Sequence, residues 1–156
     1  MKRNILILLV FLLSEMSFSM QAQESTEKVK GEILQTLQHF NTAAQNSNTD
    51  QLMALFDKAS TIMFIGGDSA EIWKGDDQIR GHLNSIFPGE SVSLQMDRVD
   101  IDYNENTAWV FMDGYIAILT NKGEKFKAPY RFTAILVKRD DDWKFRLFNG
   151  SNPGGK

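Results

Sequence analysis

Asp113 and Tyr115 are the side chains in this sequence with types and spacing best suited to chemistry. They stand two positions apart in an alternating stretch, so an extended strand puts both on one face. A carboxylate that takes a proton, beside a phenol that donates to the developing enolate oxygen, forms a working pair for isomerisation. The competing reading makes Asp113 and Gly114 a solvated bulge, with Tyr115 packed against the core. Alternation also brings Trp109 and Phe111 to the Asp113 face. The chain has two histidines. His82 adjoins Leu83 on the inner side of an amphipathic stretch, whereas His39 lies off the apolar stripe, between Gln38 and Phe40. A lone histidine is more often structural than functional, and two so far apart make no ligand cluster. The Asp140-Asp141-Asp142 run sits where a hairpin needs a turn, so no metal site is expected. The sequence contains no G-x-S-x-G, P-loop or dinucleotide fingerprint, and no cofactor is expected.

The elements that must position these groups follow from the apolar pattern. Val29, Ile33, Leu37, Phe40 and Ala44 recur at helical spacing, which predicts an amphipathic helix over about 25–46. Asn48 with Gln51 resembles a capping arrangement for a short helix carrying Leu52, Leu55 and Phe56. Thr61 to Ile65 and Ala70 to Trp73 read as two short strands, bounded by Gly66-Gly67-Asp68 and Lys74-Gly75. Asp76 is expected to cap a third helix whose Ile79, Leu83 and Ile86 share one face. After Pro88-Gly89 everything reads as strand. Alternation runs through Val92, Leu94 and Met96, then Val99, Ile101 and Tyr103, with a turn at Asn104-Glu105-Asn106. Thr107 to Thr120, Phe126 to Lys138 and Trp143 to Asn149 complete four consecutive strands, and Pro129 should mark a bulge or edge in the penultimate one. Helices segregated from such strands argue for an α+β architecture, with helices on one face of an antiparallel sheet.

The N-terminus reads as an export signal. Lys2 and Arg3 precede an apolar run from Ile5 to Leu13, and Ser17, Ser19 and Ala22 are small residues suited to cleavage before Met20 or Gln23. The run is too short to span a bilayer, so residues 1–22 are expected to be removed and 23–156 to form one periplasmic or secreted domain without stable membrane insertion. With no cysteine, neither a disulfide framework nor a lipid anchor on cysteine is available. Removing Lys2, Arg3 and Glu15 from 17 basic and 20 acidic side chains leaves a formal charge of −4, which repels nucleic acid.

Several motifs in order carry a family resemblance: Asp50 to Leu55, Glu71-Ile72-Trp73-Lys74-Gly75 with Ile79-Arg80, Thr107-Ala108-Trp109-Val110, Arg131-Phe132-Thr133, and Lys138-Arg139-Asp140 leading to Trp143-Lys144-Phe145. Together they resemble the SnoaL-like branch of the nuclear transport factor 2-like superfamily, in an exported bacterial form. The resemblance implies a cone-shaped fold, three helices packed on a curved, mainly antiparallel sheet, with a deep pocket between them and a homodimer as the usual assembly. It also implies that Arg131 corresponds to a pocket arginine of some relatives; a surface position is the competing reading, since a guanidinium inside an apolar cone needs an anion or a carboxylate such as Asp113. Where many relatives end the last strand with a pocket histidine, this sequence has Asn149, which hydrogen-bonds but exchanges no proton near neutral pH.

If the last hairpin turns about Asp140, Arg131 and Asn149 are cross-strand neighbours, whereas a slip of one residue would separate them to opposite faces. In the first register they are expected to project into a cavity walled by Trp73, Trp109 and Tyr115, suiting a ligand with an apolar body and a carboxylate or carbonyl end. The same tryptophans also qualify as core formers. Three functions remain open: a small-ligand binder, with His82 a further pocket candidate; a ketosteroid-isomerase-like or cyclase-like enzyme using Asp113 and Tyr115; and a dimeric interaction module using the outer sheet face.

Overall fold

The computed structural model describes residues 25–68 and 70–154. The expected signal peptide lies outside the described residues. The described residues fall into two compact units, divided between Glu32 and Ile33. In the first, residues 25–32 are helical. The second carries the sheet and every feature discussed below.

The second unit opens with helix α1 (33–45), whose Ile33, Leu37, Phe40 and Ala44 are all buried, as their spacing requires. The short helix α2 (Thr49–Met53) starts where Asn48 accepts the Gln51 amide on its side chain at 2.9 Å. That cap satisfies one of the amides a helix start leaves unpaired. Strands β1 (Met63–Ile65) and β2 (Ile72–Lys74) are brief and lead into helix α3 (Gly75–Ile86).

The start of α3 departs from expectation. Asp76 lies inside the first turn, and the N-cap is Lys74, whose side chain makes no capping bond. Instead Gln78 reaches back to accept the Lys74 amide at 3.0 Å. Gly75 makes the strand-to-helix corner at φ +76°, in the left-handed region that glycine enters without steric cost. Asp76 then favours the positive end of the helix and pairs with Arg80 one turn on.

Strands β3 (Glu90–Asn104), β4 (Thr107–Thr120), β5 (Lys125–Arg139) and β6 (Asp142–Ser151) form a meander. The sheet order is β2-β1-β6-β5-β4-β3, with β1 parallel to β6 and all other pairs antiparallel. The fold is thus α+β, with helices against a mixed, mostly antiparallel six-stranded sheet. The two alternating runs before the first turn are one strand, β3, broken by a register shift between Met96 and Arg98. At that bulge the Gln95 carbonyl presses on Gly114, where no side chain would fit.

Alternation assigns the two faces of the sheet. On β4, Ala108, Val110, Met112 and Gly114 are buried under the helices, while Trp109 and Tyr115 are exposed. On β5, Tyr130, Phe132, Ala134 and Leu136 face inward, and Arg131, Thr133 and Ile135 face outward. A shift between Ile135 and Leu136 leaves Arg146 of β6 as the extra residue, so Phe145 and Phe148 both turn inward although three positions apart. They join Phe40, whose ring stacks on Phe148 with centroids 5.2 Å apart. Pro129 pairs with Tyr115 of β4, whereas β6 first meets β5 at Arg131, so proline occupies a local edge where no ladder amide is needed.

Candidate functional site

Between the helices and the inner face of the sheet lies a cavity of about 310 Å³. Phe40 of α1, Leu83 of α3, Leu94 of β3, Ile116 of β4 and Phe148 of β6 make its wall largely apolar. A few polar groups converge on it: His82 from α3, Glu71 from the β1–β2 loop, Tyr130 from β5 and Asn152 beyond β6. This mixture, in a volume at the lower end of roughly 300–1,000 Å³, is what a small-molecule site requires.

Tyr130 is 7% exposed and lines the cavity, yet its hydroxyl has no hydrogen-bond partner among the described residues. The oxygen keeps some accessible surface, so it is free to hydrogen-bond with a molecule that enters. Its position depends on Gly150, because any side chain there would collide with the phenol oxygen. Burial, with the Glu71 carboxylate adding to it, pushes the phenol well above its usual range, so Tyr130 stays protonated.

Glu71 is held by the loop it belongs to. Its Oε2 accepts the Asp68 amide at 3.0 Å, its carbonyl accepts the Gly66 amide at 2.8 Å, and its side chain lies across Gly66. His82 is half-buried, one helical turn from buried Ile79, and its ring stacks on Trp73 at 3.5 Å with planes 13° apart. Phe64 meets both rings at 5.8 Å. Burial lowers the imidazole below its usual 6.5, with Glu71 pulling partly the other way, so His82 is neutral at pH 7 and one ring nitrogen can accept a proton.

The other site residues expected from sequence are elsewhere. Asp113 and Tyr115 do share a face, but it is the outer one, away from the cavity. The physical reason is parity: the neighbours Met112 and Gly114 are the buried, inward positions of β4. Asp113 pairs directly with Arg131 across the strands, and their side chains are 42% and 49% exposed. Tyr115 lies beneath the Lys127 ammonium at 4.4 Å. Trp109, 48% exposed, is also on the outer face and walls no part of the cavity. Asn149 pairs with Thr133, while Arg131 pairs with Ser151. Arg131 and Asn149 are therefore diagonal rather than direct neighbours, and both point outward with Thr133. Neither projects toward a ligand in the cavity. Of the expected set, the structure brings together His82 and, behind it, Trp73.

Sequence reasoning passed over Glu71, Tyr130 and Asn152. Tyr130 had a usable signal, because it shares the parity of Phe132, Ala134 and Leu136. Glu71 and Asn152 come from loops, where no periodicity points to a face. At the other end of the unit, buried Asp57 meets Arg146 at 2.8 Å and Arg139 at 3.3 Å, a structural tie between the α2–β1 loop and the last hairpin. Among the described residues no three or more His, Asp or Glu converge to hold a metal ion.

Comparison with known proteins agrees with this architecture. A candidate scytalone dehydratase from Novosphingobium aromaticivorans superposes with TM-score 0.75 at 17% identity, over 86% of this chain and 98% of that one. A nuclear transport factor 2-like superfamily protein from Salmonella enterica gives 0.73 at 18% identity, over 84% and 95%. A candidate dehydratase of the same superfamily from Streptomyces avermitilis gives 0.73 at 13% identity, over 83% and 99%. At these identities the likeness speaks to fold alone. No curated protein matches the sequence. The family model described as the SnoaL-like domain matches residues 33–153, and the chain belongs to that family.

Proposed function

We propose that this SnoaL-like domain holds a small, mostly apolar organic molecule in the cavity between its helices and its sheet. The observation that carries the reading is Tyr130, a buried residue whose hydroxyl stays accessible and has no partner among the described residues, at the wall of a largely apolar cavity. Such a group is stabilised when a ligand supplies the missing hydrogen bond. Native mass spectrometry of the protein purified from its own source tests this directly. A retained small molecule is expected, and Ile116→Trp, which fills the cavity, should expel it while circular dichroism stays native. An adduct that persists in the filled variant would contradict the reading.

A catalytic version is favoured by one feature, the neutral His82 ring stacked on Trp73 at the cavity wall. There it is placed to take a proton from a bound ligand, while the protonated Tyr130 donates to a ligand oxygen. Proton transfer of the isomerase or cyclase kind would thus run through His82 and Tyr130 rather than Asp113 and Tyr115. Two of the structural relatives carry dehydratase names, which suits this chemistry.

The outer face supports a second role. Trp109, Tyr115, Leu119 and Ile135 are exposed there, an apolar surface that a homodimer would cover. Light scattering should give a dimer mass at micromolar concentration, and a monomer mass throughout would refute it. Export is the remaining part of the reading, carried by the Lys2-Arg3 start and the apolar run to Leu13. Intact-mass measurement should find the first 19 to 22 residues missing from the exported protein, whereas full-length precursor held in the membrane would exclude it.

A further inference from the structure

The cavity is electrically one-sided. Its wall includes the side chains of Glu71 and Glu90 and no lysine or arginine. Arg131, the cation expected to receive an anionic ligand, is committed to Asp113 on the outer face. A ligand carboxylate entering the cavity would meet like charge.

The converse holds for a cation. Glu71 uses Oε2 for the Asp68 amide, and its other carboxylate oxygen has no partner among the described residues. The Tyr130 oxygen, accessible on an otherwise buried residue and likewise without a partner among the described residues, offers lone pairs as a second acceptor. Phe64, Phe87, Phe126 and Phe148 add ring faces, which attract positive charge, and they seat an apolar body as well.

From this geometry we propose that the cavity takes an apolar molecule ending in a protonated amine, held by the Glu71 carboxylate with the Tyr130 oxygen as second acceptor. The inference rests on the cavity being the ligand site, and it names the chemical class of that ligand.

Three probes of one shape separate the possibilities: n-octylamine, n-octanol and octanoate, titrated calorimetrically into the full chain. The amine is expected to bind tightest and octanoate weakest. Glu71→Gln should weaken the amine by roughly tenfold, the size of one charge-assisted hydrogen bond, and weaken n-octanol far less. Asp100 and Asp102 give the outer face acids of its own, so the preference should survive in Asp100→Asn/Asp102→Asn. Octanoate binding as tightly as the amine overturns the inference, as does an amine preference untouched by Glu71→Gln or lost in the outer-face variant. In those cases n-octanol binding keeps the cavity reading intact. Failure of all three probes to bind overturns both.

Discussion

The two faces of the sheet carry similar side chains under opposite conditions. Outside, Asp113 and Arg131 satisfy each other, about half exposed, and Tyr115 has Lys127 above it. Inside, Tyr130, one residue from Arg131 on the same strand, is buried with no partner among the described residues, and His82 of α3 is neutral against Trp73. Residue type alone favours the outer set, with its carboxylate and phenol on one face. Environment reverses the ranking, because groups that satisfy one another in water have little left to offer a ligand, whereas a desolvated, unpaired group does. That difference is the ground for proposing the ligand site on the inner face.

The largest expected effect separates the faces by stability. Phe148 is 2% exposed and packs on Phe40, Phe64 and Phe132, so Phe148→Ala should cost about 3–5 kcal/mol in denaturant unfolding. Trp109→Ala, at 48% exposure on the outer face, should cost well under half of that. Comparable losses would mean that the outer face is buried in the assembly studied, which dilution would reveal.

Next comes crowding at the cavity wall. Gly150→Ala forces the Tyr130 ring to move, at a cost of about 1–3 kcal/mol for overpacking, and should be accompanied by weaker binding of any cavity ligand. Replacing Tyr130 by Phe in that background should relieve part of the strain, since the clash is with the phenol oxygen. No relief would place the conflict elsewhere.

A smaller effect concerns pH. His82 has a lowered folded-state value, so the unfolded chain binds its proton more readily. Its contribution is therefore fully present above the unfolded value near 6.5 and is lost as pH falls through that value toward the folded one. Melting temperature should fall between about pH 7.5 and about pH 5, and His82→Gln should remove part of that slope. A slope identical in the variant would assign it to other groups.

Smallest of all, Arg131→Ala should cost about 0.2–1 kcal/mol, the worth of an exposed ion pair, and leave ligand affinity unchanged. A fall in affinity would bring the outer face back as the binding surface.

Much of the fold was legible because turn signals are clear and alternation runs unbroken along β4. Strand β4 spans Thr107–Thr120 as the pattern requires, and the Asn48 cap forms as spaced. Parity was legible too, but parity yields two faces without saying which is inner. On β4 both are apolar, with Trp109, Phe111 and Tyr115 on one and Val110, Met112 and Ile116 on the other. What breaks the tie is tertiary: the bulge that presses on Gly114, and the helices that cover Met112. His82 was visible because helical periodicity places it beside Leu83. Glu71 was not, since its orientation comes from the Gly66 and Asp68 amides of an irregular loop. The α3 cap was misplaced by one corner because Gly75 adopts a left-handed φ that sequence admits but does not demand.

Nuclear magnetic resonance of the isotope-labelled chain titrated with n-octanol, an uncharged probe indifferent to the amine question, tests the central claim most directly. The account predicts chemical-shift changes concentrated at Glu71, His82, Tyr130 and Phe148. Changes concentrated instead at Trp109, Asp113, Tyr115 and Arg131 would contradict it.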